Sequence, residues 1–410
     1  DIFARKIFDS RGEETIEVDV ITTSGFGRSS APAGASRGKM EAVPYPKGGV
    51  DQAIRKVREA IAPELIGIEA NQQEEVDSLL HEIDGTADFS NVGGNTAYAV
   101  SLATAEAAAN SFGIPLFQHL AGHSANELPF SLGNVLGGGK HARGKAPDVQ
   151  EFLVLPLKAS TFLEGAKISA LAHHKVGSLL KRVDATSAIG KGDEGAWAPN
   201  MKNEDALEVV AKACREVSEE SGVECRIGLD VAASTLWNLK ENRYIYAQDK
   251  TRKDSGEQLD YVLSLIKKYD LVYVEDPFHE EDFENFAELT RKAKECLICG
   301  DDLFVTNKER LARGLNLGAA NAVIIKVNQV GTLTDAWETT RLAKKSNYTP
   351  IMAHRSGETT DTKIAHLAVA FNCPAIKTGI VGGAVSYTLN ELIRIEEVLG
   401  KKAKMSTINV

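Results

Sequence analysis

The sequence 322-AVIIK-326 is an apolar run that ends in a charged residue, and this pattern recurs along the second half of the chain. Similar runs are 271-LVYVE-275, 296-CLICGD-301, 349-TPIMAH-354 and 375-AIK-377. Their starts at 271, 296, 322, 349 and 375 are separated by 25, 26, 27 and 26 residues, a spacing typical of a strand, a loop and a crossover helix. Since the runs lack polar alternation, they predict strands buried on both faces, as in a parallel sheet.

Further runs at 151–156 and 226–230 extend the series, and the segments between the runs have helical patterns. We predict helices at 204–221, 281–295, 332–346 and 360–371, with Thr332 and Asp335 forming an N-terminal cap. So many strand–helix units favour a closed barrel over an open sheet.

The first part of the chain has a different pattern. Residues 15–22 alternate as in an antiparallel strand, and residues 50–61, 72–83 and 95–111 have helical patterns. The last of these is so rich in alanine that we predict it packs between two layers. A small, polar segment at 122–127 suits a linker. The fold class is therefore α/β, with an α+β domain at 1–126 and a β/α, TIM-like barrel at 127–410.

The composition narrows the function classes. A formal net charge of −10 argues against a nucleic-acid or anionic-membrane surface, and the sequence has no apolar run long enough for a membrane span. No signal peptide is visible, so we expect a cytoplasmic protein. The five cysteines include Cys296 and Cys299 in a C-x-x-C, which we interpret as core thiols because positions i and i+3 of a strand face opposite ways.

The charged residues that end these runs predict a metal site. The carboxyl ends of barrel strands meet at one face, so Asp230, Glu275 and Asp301 should lie close together there. Three crowded carboxylates are costly unless a cation lies among them. Hard oxygen ligands with no nearby cysteine or paired histidine favour Mg²⁺ over zinc.

Two lysines, Lys326 and Lys377, end neighbouring runs and would share this site. A lysine near other cations has a lowered pKa, so a neutral Lys326 could remove a proton from carbon while the metal stabilises the resulting anion. Glu194, on the glycine-flanked loop 191-KGDEGAWAPN-200, suits the acid that would assist loss of a β-hydroxyl.

These residues belong to motifs through which nearly the whole chain resembles the enolase family. The motifs include 8-FDSRG-12, 34-GASRG-38, 192-GDEG-195, 275-EDPF-278, 326-KVNQVGT-332, 354-HRSGET-359 and 376-IKTG-379. The family pattern of a lysine base with Mg²⁺ agrees with the roles inferred above for Lys326 and the metal. The chain departs from the usual pattern at several points, such as Ala196-Trp197 after the GDEG motif, which indicates a distant branch of archaeal type.

The resemblance implies reversible dehydration of 2-phospho-D-glycerate to phosphoenolpyruvate in glycolysis and gluconeogenesis, with two Mg²⁺ ions per active site. It implies that Lys326 is the base and that Glu194 is the acid, with Glu151 beside it. The resemblance also implies a homo-oligomer, either a dimer or an assembly of dimers.

The remaining roles also follow from the resemblance. Arg355 and Ser356 would contact the phosphate, and Lys377 the substrate carboxylate. His354, Gln150 and His141 would be further site residues, with His141 on a closing loop. Ser36, between Gly34 and Gly38, would reach the second Mg²⁺ as the loop closes and excludes water.

The sequence admits four other interpretations. The stretch 139-GKHARGKA-146 imitates a phosphate-binding loop of an NTPase, but Ala146 replaces the required hydroxyl. His173 and His174 are adjacent on a helix, which predicts one packed and one exposed ring rather than a metal pair. A related lyase or racemase for a non-phosphorylated acid, or a non-enzymatic scaffold with this fold, would also account for parts of the pattern.

Overall fold

The computed structural model describes residues 1–35, 37–142, 144–183 and 189–408. The first part is a three-stranded antiparallel sheet, Ile2–Phe8, Glu14–Ile21 and Phe26–Ser30, in sequential order. Helices follow at Gly49–Lys56, which continues through Val57–Ile61 and Ala62–Leu65, and then at Gln73–Asp84, Gly94–Ser111 and Leu116–Ala121.

The alanine-rich helix Gly94–Ser111 is buried on nearly all sides and packs between the small sheet and the barrel, as predicted. On the sheet side, a Cβ on Gly27 would lie only 1.9 Å from the Ala103 carbonyl oxygen, so glycine is required for this approach. On the barrel side, the Asn328 amide donates to Asn95 at 3.1 Å.

Within the described part of the chain, eight strands close into a barrel. In order they are Phe130–Gly137, Glu151–Pro156, Cys225–Asp230, Tyr273–Glu275, Leu297–Gly300, Ala322–Ile325, Thr349–Ala353 and Ala375–Gly379. Hydrogen bonds between the eighth and first strands complete the ring. The predicted α/β barrel preceded by an α+β part is therefore confirmed, whereas the boundary at 126/127 stays a prediction.

Two features of the barrel differ from the sequence prediction. The first strand was missed, because its polar Ser131 and Asn134 and its glycines break the apolar run. The second strand, Glu151–Pro156, is antiparallel to both neighbours, so the sheet is not all-parallel. An antiparallel strand brings its amino end to the face where its neighbours have their carboxyl ends, and Glu151 consequently pairs with Asp230.

Helices cover the outside of the barrel. They are Phe162–Val183, Asn203–Ser221, Ser255–Tyr269, Phe283–Lys292, Lys308–Leu317, Leu333–Lys345, Lys363–Ala370 and Val385–Leu399. The four predicted helices are present with shifted ends. At Leu333–Lys345 the Thr332 hydroxyl accepts from the Asp335 N–H, so Thr332 caps the helix, but the Asp335 side chain accepts from the Thr332 hydroxyl rather than from its backbone N–H as in a capping box.

The core has two layers, one inside the barrel and one between the barrel and its helices. Cys299 lies inside with Leu132 and Ile324, whereas Cys296 lies outside. The opposite-face interpretation of the C-x-x-C is therefore confirmed. Among the helices that the structure describes, each is too short or too polar to cross a bilayer.

Candidate active site

The charged residues at the strand ends converge on one small cavity. Its lining comprises Gly34, Ala35, His141, Gln150, Glu151, Glu194, Asp230, Asp301, Lys326, His354, Arg355, Ser356 and Lys377. A larger cleft of about 1180 Å³ beside Asp1 and Ile66 contains none of the predicted site residues, so chemistry rather than volume identifies the site. Ser36, predicted at this cavity, lies outside the described residues.

Lys377 is the centre of the acidic side of the cavity. Its Nζ lies 2.6 Å from Asp230 Oδ2, 2.8 Å from Glu275 Oε2 and 3.3 Å from Glu151 Oε1. One ammonium therefore faces three buried carboxylates. A single ammonium has more acidic partners here than it can neutralise when they are ionised.

Glu275, beneath the cavity, is fully buried. Its Oε2 accepts from the Tyr273 hydroxyl at 2.6 Å, but its Oε1 has no hydrogen-bond partner among the described residues. Burial and the neighbouring Asp230 raise the pKa of Glu275 to about 7. An unpartnered carboxylate oxygen in an acidic cluster is a suitable ligand for a cation.

Asp301 and Lys326 form a second charged contact. Lys326 Nζ lies 2.5 Å from Asp301 Oδ2, and the Gln329 amide donates to Asp301 Oδ1 at 2.9 Å. The sequence predicted a lowered pKa for Lys326. Burial, Arg355 and Lys377 do act in that direction, but the adjacent Asp301 outweighs them, and the pKa of Lys326 is raised.

Asp276 positions Asp301 rather than facing the cavity. Its two carboxylate oxygens accept from the backbone N–H groups of Asp301 and Asp302 at 3.0 and 2.7 Å. Asp276 adopts a left-handed backbone conformation, with φ at 41°, that is uncommon for a residue other than glycine. Ligand atoms of these three aspartates lie within 4.8 Å of one another, so they too form a compact acidic group.

Glu194 and Glu151 differ in their protonation, because their surroundings shift their pKa values in opposite directions. Asn134 donates to Glu194 Oε2 at 2.9 Å, and the ring nitrogens of His354 and His141 lie 3.3 and 3.5 Å from its oxygens. Burial favours the neutral form, but these partners outweigh it and hold the pKa of Glu194 well below its usual range. Burial and the charge of Glu194 raise the pKa of Glu151 well above its usual range. The pair therefore holds one proton, on Glu151.

His141 lies between these two carboxyl groups. Its Nδ1 is 3.3 Å from Glu151 Oε1 and 3.5 Å from Glu194 Oε1, and burial lowers its pKa. The same ring nitrogen therefore lies close to both carboxyl groups without a hydrogen bond to either of them among the described residues.

The first domain forms a wall of the cavity. Ala33 pairs with Gly357 in an isolated antiparallel bridge, and the N–H of Ala35 donates to Ser356 Oγ at 2.7 Å. The buried Arg355 guanidinium donates to Glu41 at 3.0 Å and to Asn328 at 3.0 Å. These contacts hold the chain on both sides of residue 36 against the barrel mouth.

A packed loop supports Glu194. A Cβ on Gly195, where φ is 78°, would lie 1.6 Å from the Val381 carbonyl oxygen, so only glycine fits. His173 Nε2 lies 2.9 Å from the Gly195 carbonyl oxygen, and its ring stacks on Trp197 at 5.3 Å. His173 is buried and His174 is exposed, which confirms the prediction of one packed and one exposed ring.

The sequence argument missed three contributors to the site. Asn134 was missed because its strand was missed, whereas Gln329 lies in a quoted motif but was given no role. Glu41 had no local signal, because its contact with Arg355 joins residues 314 positions apart in the sequence. The structure brings all the predicted site residues except Ser36 to one site, while their individual chemical roles stay predictions.

Comparisons with known proteins agree on one family. A model of the enolase C-terminal TIM barrel domain matches residues 125–410, and a model of the enolase N-terminal domain matches residues 1–120. The chain is 54% identical over 400 residues to an enolase of Methanosphaera stadtmanae, covering 97% of each chain. It is 53% identical to an enolase of Methanothermobacter thermautotrophicus, covering 97% of this chain and 96% of the other. It is 46% identical to an enolase of Pyrobaculum aerophilum, covering 100% and 99%.

We predict that His173 makes stability depend on pH. Burial lowers its pKa to about 4, whereas an unfolded histidine titrates near ~6.5. As the pH falls, the unfolded chain binds the proton first. The stabilisation from neutral His173 is therefore complete above about pH 6.5 and is lost towards about pH 4. Between about pH 7 and about pH 5 the loss should be about 2 kcal/mol, measured by denaturant unfolding.

The control separates this effect from other titrations. His173→Gln keeps a donor for the Gly195 carbonyl but does not titrate in this range, so its unfolding free energy should fall less at low pH. His174→Gln, at the exposed neighbour, should retain the wild-type pH dependence. Equal pH dependence in all three proteins would contradict the prediction.

Proposed function

The chain belongs to the enolase family, and we propose that the barrel cavity is where it converts 2-phospho-D-glycerate reversibly into phosphoenolpyruvate and water. The enzyme is thus a phosphopyruvate hydratase, a carbon–oxygen lyase of glycolysis and gluconeogenesis. The observation that supports the assignment to this cavity is that Lys326 and Glu194, the proposed base and the proposed acid, come from separate elements and line the same small volume.

Membership of the family implies Mg²⁺, and the residues present fit that ion. We propose that Asp230, Glu275 and Asp301 hold it. The excess of carboxylates around Lys377 and the unpartnered Glu275 Oε1 support this choice. Both oxygens of Asp276 already accept N–H bonds, which favours a supporting role for that residue. When bound, Mg²⁺ stabilises the negative charge that develops on the substrate carboxylate.

The number of ions is a separate proposal. We propose a second Mg²⁺ per site, which Ser36 would reach together with the substrate phosphate. The contacts of Ala35 with Ser356 and of Lys39 with Glu280 support this, because they hold the flanking chain beside the cavity.

We propose that Lys326 removes the C2 proton. To act as a base Lys326 must be neutral, and the Asp301 carboxylate is the contact that holds its proton. Arg355 and Lys377 favour the neutral form, so any engagement of Asp301 elsewhere would shift Lys326 towards it. Gln329 fixes the other Asp301 oxygen and so maintains the direction of this contact.

The proposed acid step depends on the proton that Glu151 and Glu194 share. The C3 hydroxyl leaves as water only when it is protonated, and we propose that Glu194 donates that proton. The raised pKa of Glu151 favours the proton there, and His141 lies between the two carboxyls within 3.3 and 3.5 Å. Glu151 and His141 would therefore supply Glu194 with the proton, while Asn134 and His354 hold its carboxyl in place.

The cationic groups suit a phosphorylated acid. We propose that Arg355 and Ser356 bind the phosphate, and that Lys377, His354 and Gln150 contact the rest of the substrate. The Ser356 hydroxyl accepts a bond from Ala35, which leaves its own O–H available to donate. A racemase or lyase acting on a non-phosphorylated acid would have no use for this buried guanidinium.

Assembly and location remain proposals of the family resemblance. We propose a homo-oligomer, a dimer or an assembly of dimers, in the cytoplasm. Support for association comes from Phe3 and Phe8 on the edge strand of the small sheet, which are 52% and 68% exposed.

An absorbance assay tests the function and the metal together. We expect 2-phosphoglycerate with Mg²⁺ to yield the conjugated product, and glycerate without the phosphate to give none. A chelator should stop turnover and also lower the melting temperature, because an ion bound only by the folded state stabilises that state. Turnover of the non-phosphorylated acid would contradict the substrate, and an unchanged melting curve would argue against a tightly held ion.

Replacing the base should stop the first step. We expect Lys326→Ala to lower exchange of the C2 proton with deuterated water by about 10³-fold or more, measured by NMR of 2-phosphoglycerate. Lys308→Ala, at an exposed lysine paired with Glu338 on the barrel exterior, is the matched control and should exchange normally. Retained exchange in Lys326→Ala would move the base to another residue.

Replacing the acid should separate the two steps. Glu194→Gln can still accept the Asn134 hydrogen bond but cannot donate a carboxyl proton, so dehydration should fall by about 10²–10⁴-fold. Exchange of the C2 proton should remain measurable, because Lys326 is intact. The exposed Glu59→Gln serves as control. Loss of both steps in Glu194→Gln would refute the acid assignment.

A further inference from the structure

A pair of thiols lies on the barrel away from the active site. Cys214 is on the helix Asn203–Ser221, and Cys225 begins the barrel strand Cys225–Asp230. Their Sγ atoms are 3.7 Å apart, which is van der Waals contact, and both residues are buried free thiols. A disulfide needs the two sulfurs to approach to about 2.05 Å, so a shift of less than ~2 Å is required.

The backbones of the two cysteines are already held together. The Ser218 hydroxyl donates to the Cys214 carbonyl oxygen at 2.8 Å and accepts from the Cys225 N–H at 2.9 Å. A single hydroxyl therefore links the two main chains beside the sulfurs. The shared Ser218 contacts therefore hold the helix and the strand together at the point where the sulfurs would join.

The pair is also reachable from solvent. Cys214 and Cys225 line a surface cavity of about 940 Å³ that also contains Arg215, Arg226 and Lys268. The residues are 3% and 5% exposed, so the cavity gives a small molecule a route to otherwise buried sulfurs. The cationic side chains are balanced by Glu219, Glu224 and Asp270 in the same lining, so the cavity has no net charge preference. The contact with Cys225 and burial raise the pKa of the Cys214 thiol.

The other cysteines do not share this arrangement. Cys296 and Cys299 lie on opposite faces of the fifth barrel strand, in different layers of the core. Cys373 is buried in the layer outside the barrel, and no sulfur contact joins it to another cysteine within the described residues. Proximity and access thus single out one pair among five thiols.

We propose that Cys214 and Cys225 form a thiol–disulfide exchange site that takes a small disulfide as its oxidant. The thiolate of one cysteine attacks a sulfur of the small disulfide, which forms a mixed disulfide and releases one small thiolate. The second cysteine thiolate then attacks the protein sulfur, which closes the Cys214–Cys225 bond and releases the second small thiolate. The two protein thiols lose two electrons and two protons. The electrons reduce the small disulfide to two thiolates, which take up the two protons and leave as thiols.

The bond stabilises the barrel and leaves the chemistry unchanged. It ties a covering helix to the start of a strand and constrains the unfolded chain. Asp230 is at the other end of this strand, five residues away and about 17 Å along it. The oxidised protein therefore melts at a higher temperature and turns over at the same rate.

Oxidised glutathione, a small disulfide, tests the proposal on the native folded protein. After incubation, free thiols are alkylated and the protein is digested with trypsin. Cleavage after Arg215 puts Cys214 and Cys225 in different peptides, so the bond appears as one cross-linked species that lacks two hydrogens. We expect this species to predominate, the melting temperature to rise by several degrees, and kcat and KM to stay within about twofold.

Variants and reversal complete the test. Cys214→Ser and Cys225→Ser should each lose the rise in melting temperature, whereas Cys373→Ser should keep it, and a reducing agent should reverse it. The peptide analysis of the wild-type protein stands even if a variant fails to fold. A glutathione adduct without the cross-link, a cross-link to another cysteine, or a cross-link formed only in denatured protein would overturn the proposal. An unchanged or lowered melting temperature of the cross-linked protein would overturn the stabilising effect.

Discussion

The structure depends on keeping a crowded set of buried charges in balance at one end of a barrel. Charges removed from water are costly unless opposite charges or hydrogen bonds face them. Lys377 faces three carboxylates, Lys326 faces Asp301, and Arg355 faces Glu41. Each cation comes from the end of a different run in the second half of the chain. Lys377, on the eighth strand, meets acids of the second, third and fourth strands, so these contacts require the strands to close into a ring.

The antiparallel second strand contributes to the same balance of buried charges. In a barrel of parallel strands alone, the residue that opens a strand lies at the face opposite the site. Because Glu151–Pro156 runs antiparallel to its neighbours, its first residue reaches the catalytic face beside Asp230. Glu151 thus joins the site from the beginning of a strand, where it shares a proton with Glu194.

Much of this could be predicted from the sequence because the barrel strands carry a regular signal. Runs such as 322-AVIIK-326 alternate with helices at a nearly constant interval, and the charges at their ends lie where a barrel gathers them. The first strand escaped because Gly133 packs where a side chain would meet Ile380, so tertiary packing removed its apolar pattern. The raised pKa of Lys326 escaped because it depends on a 2.5 Å contact that spacing alone does not define.

The bridge between Ala33 and Gly357 makes the small domain part of the candidate active site. Together with the contacts of Ala35 and Glu41, it supplies one wall of a cavity whose other walls are barrel. The barrel excised from its partner domain would thus be an open cup from which solvent is not excluded. Recombination between relatives would have to exchange the strip 33–41 along with its docking residues on the barrel, so the two domains are constrained to evolve as a matched pair.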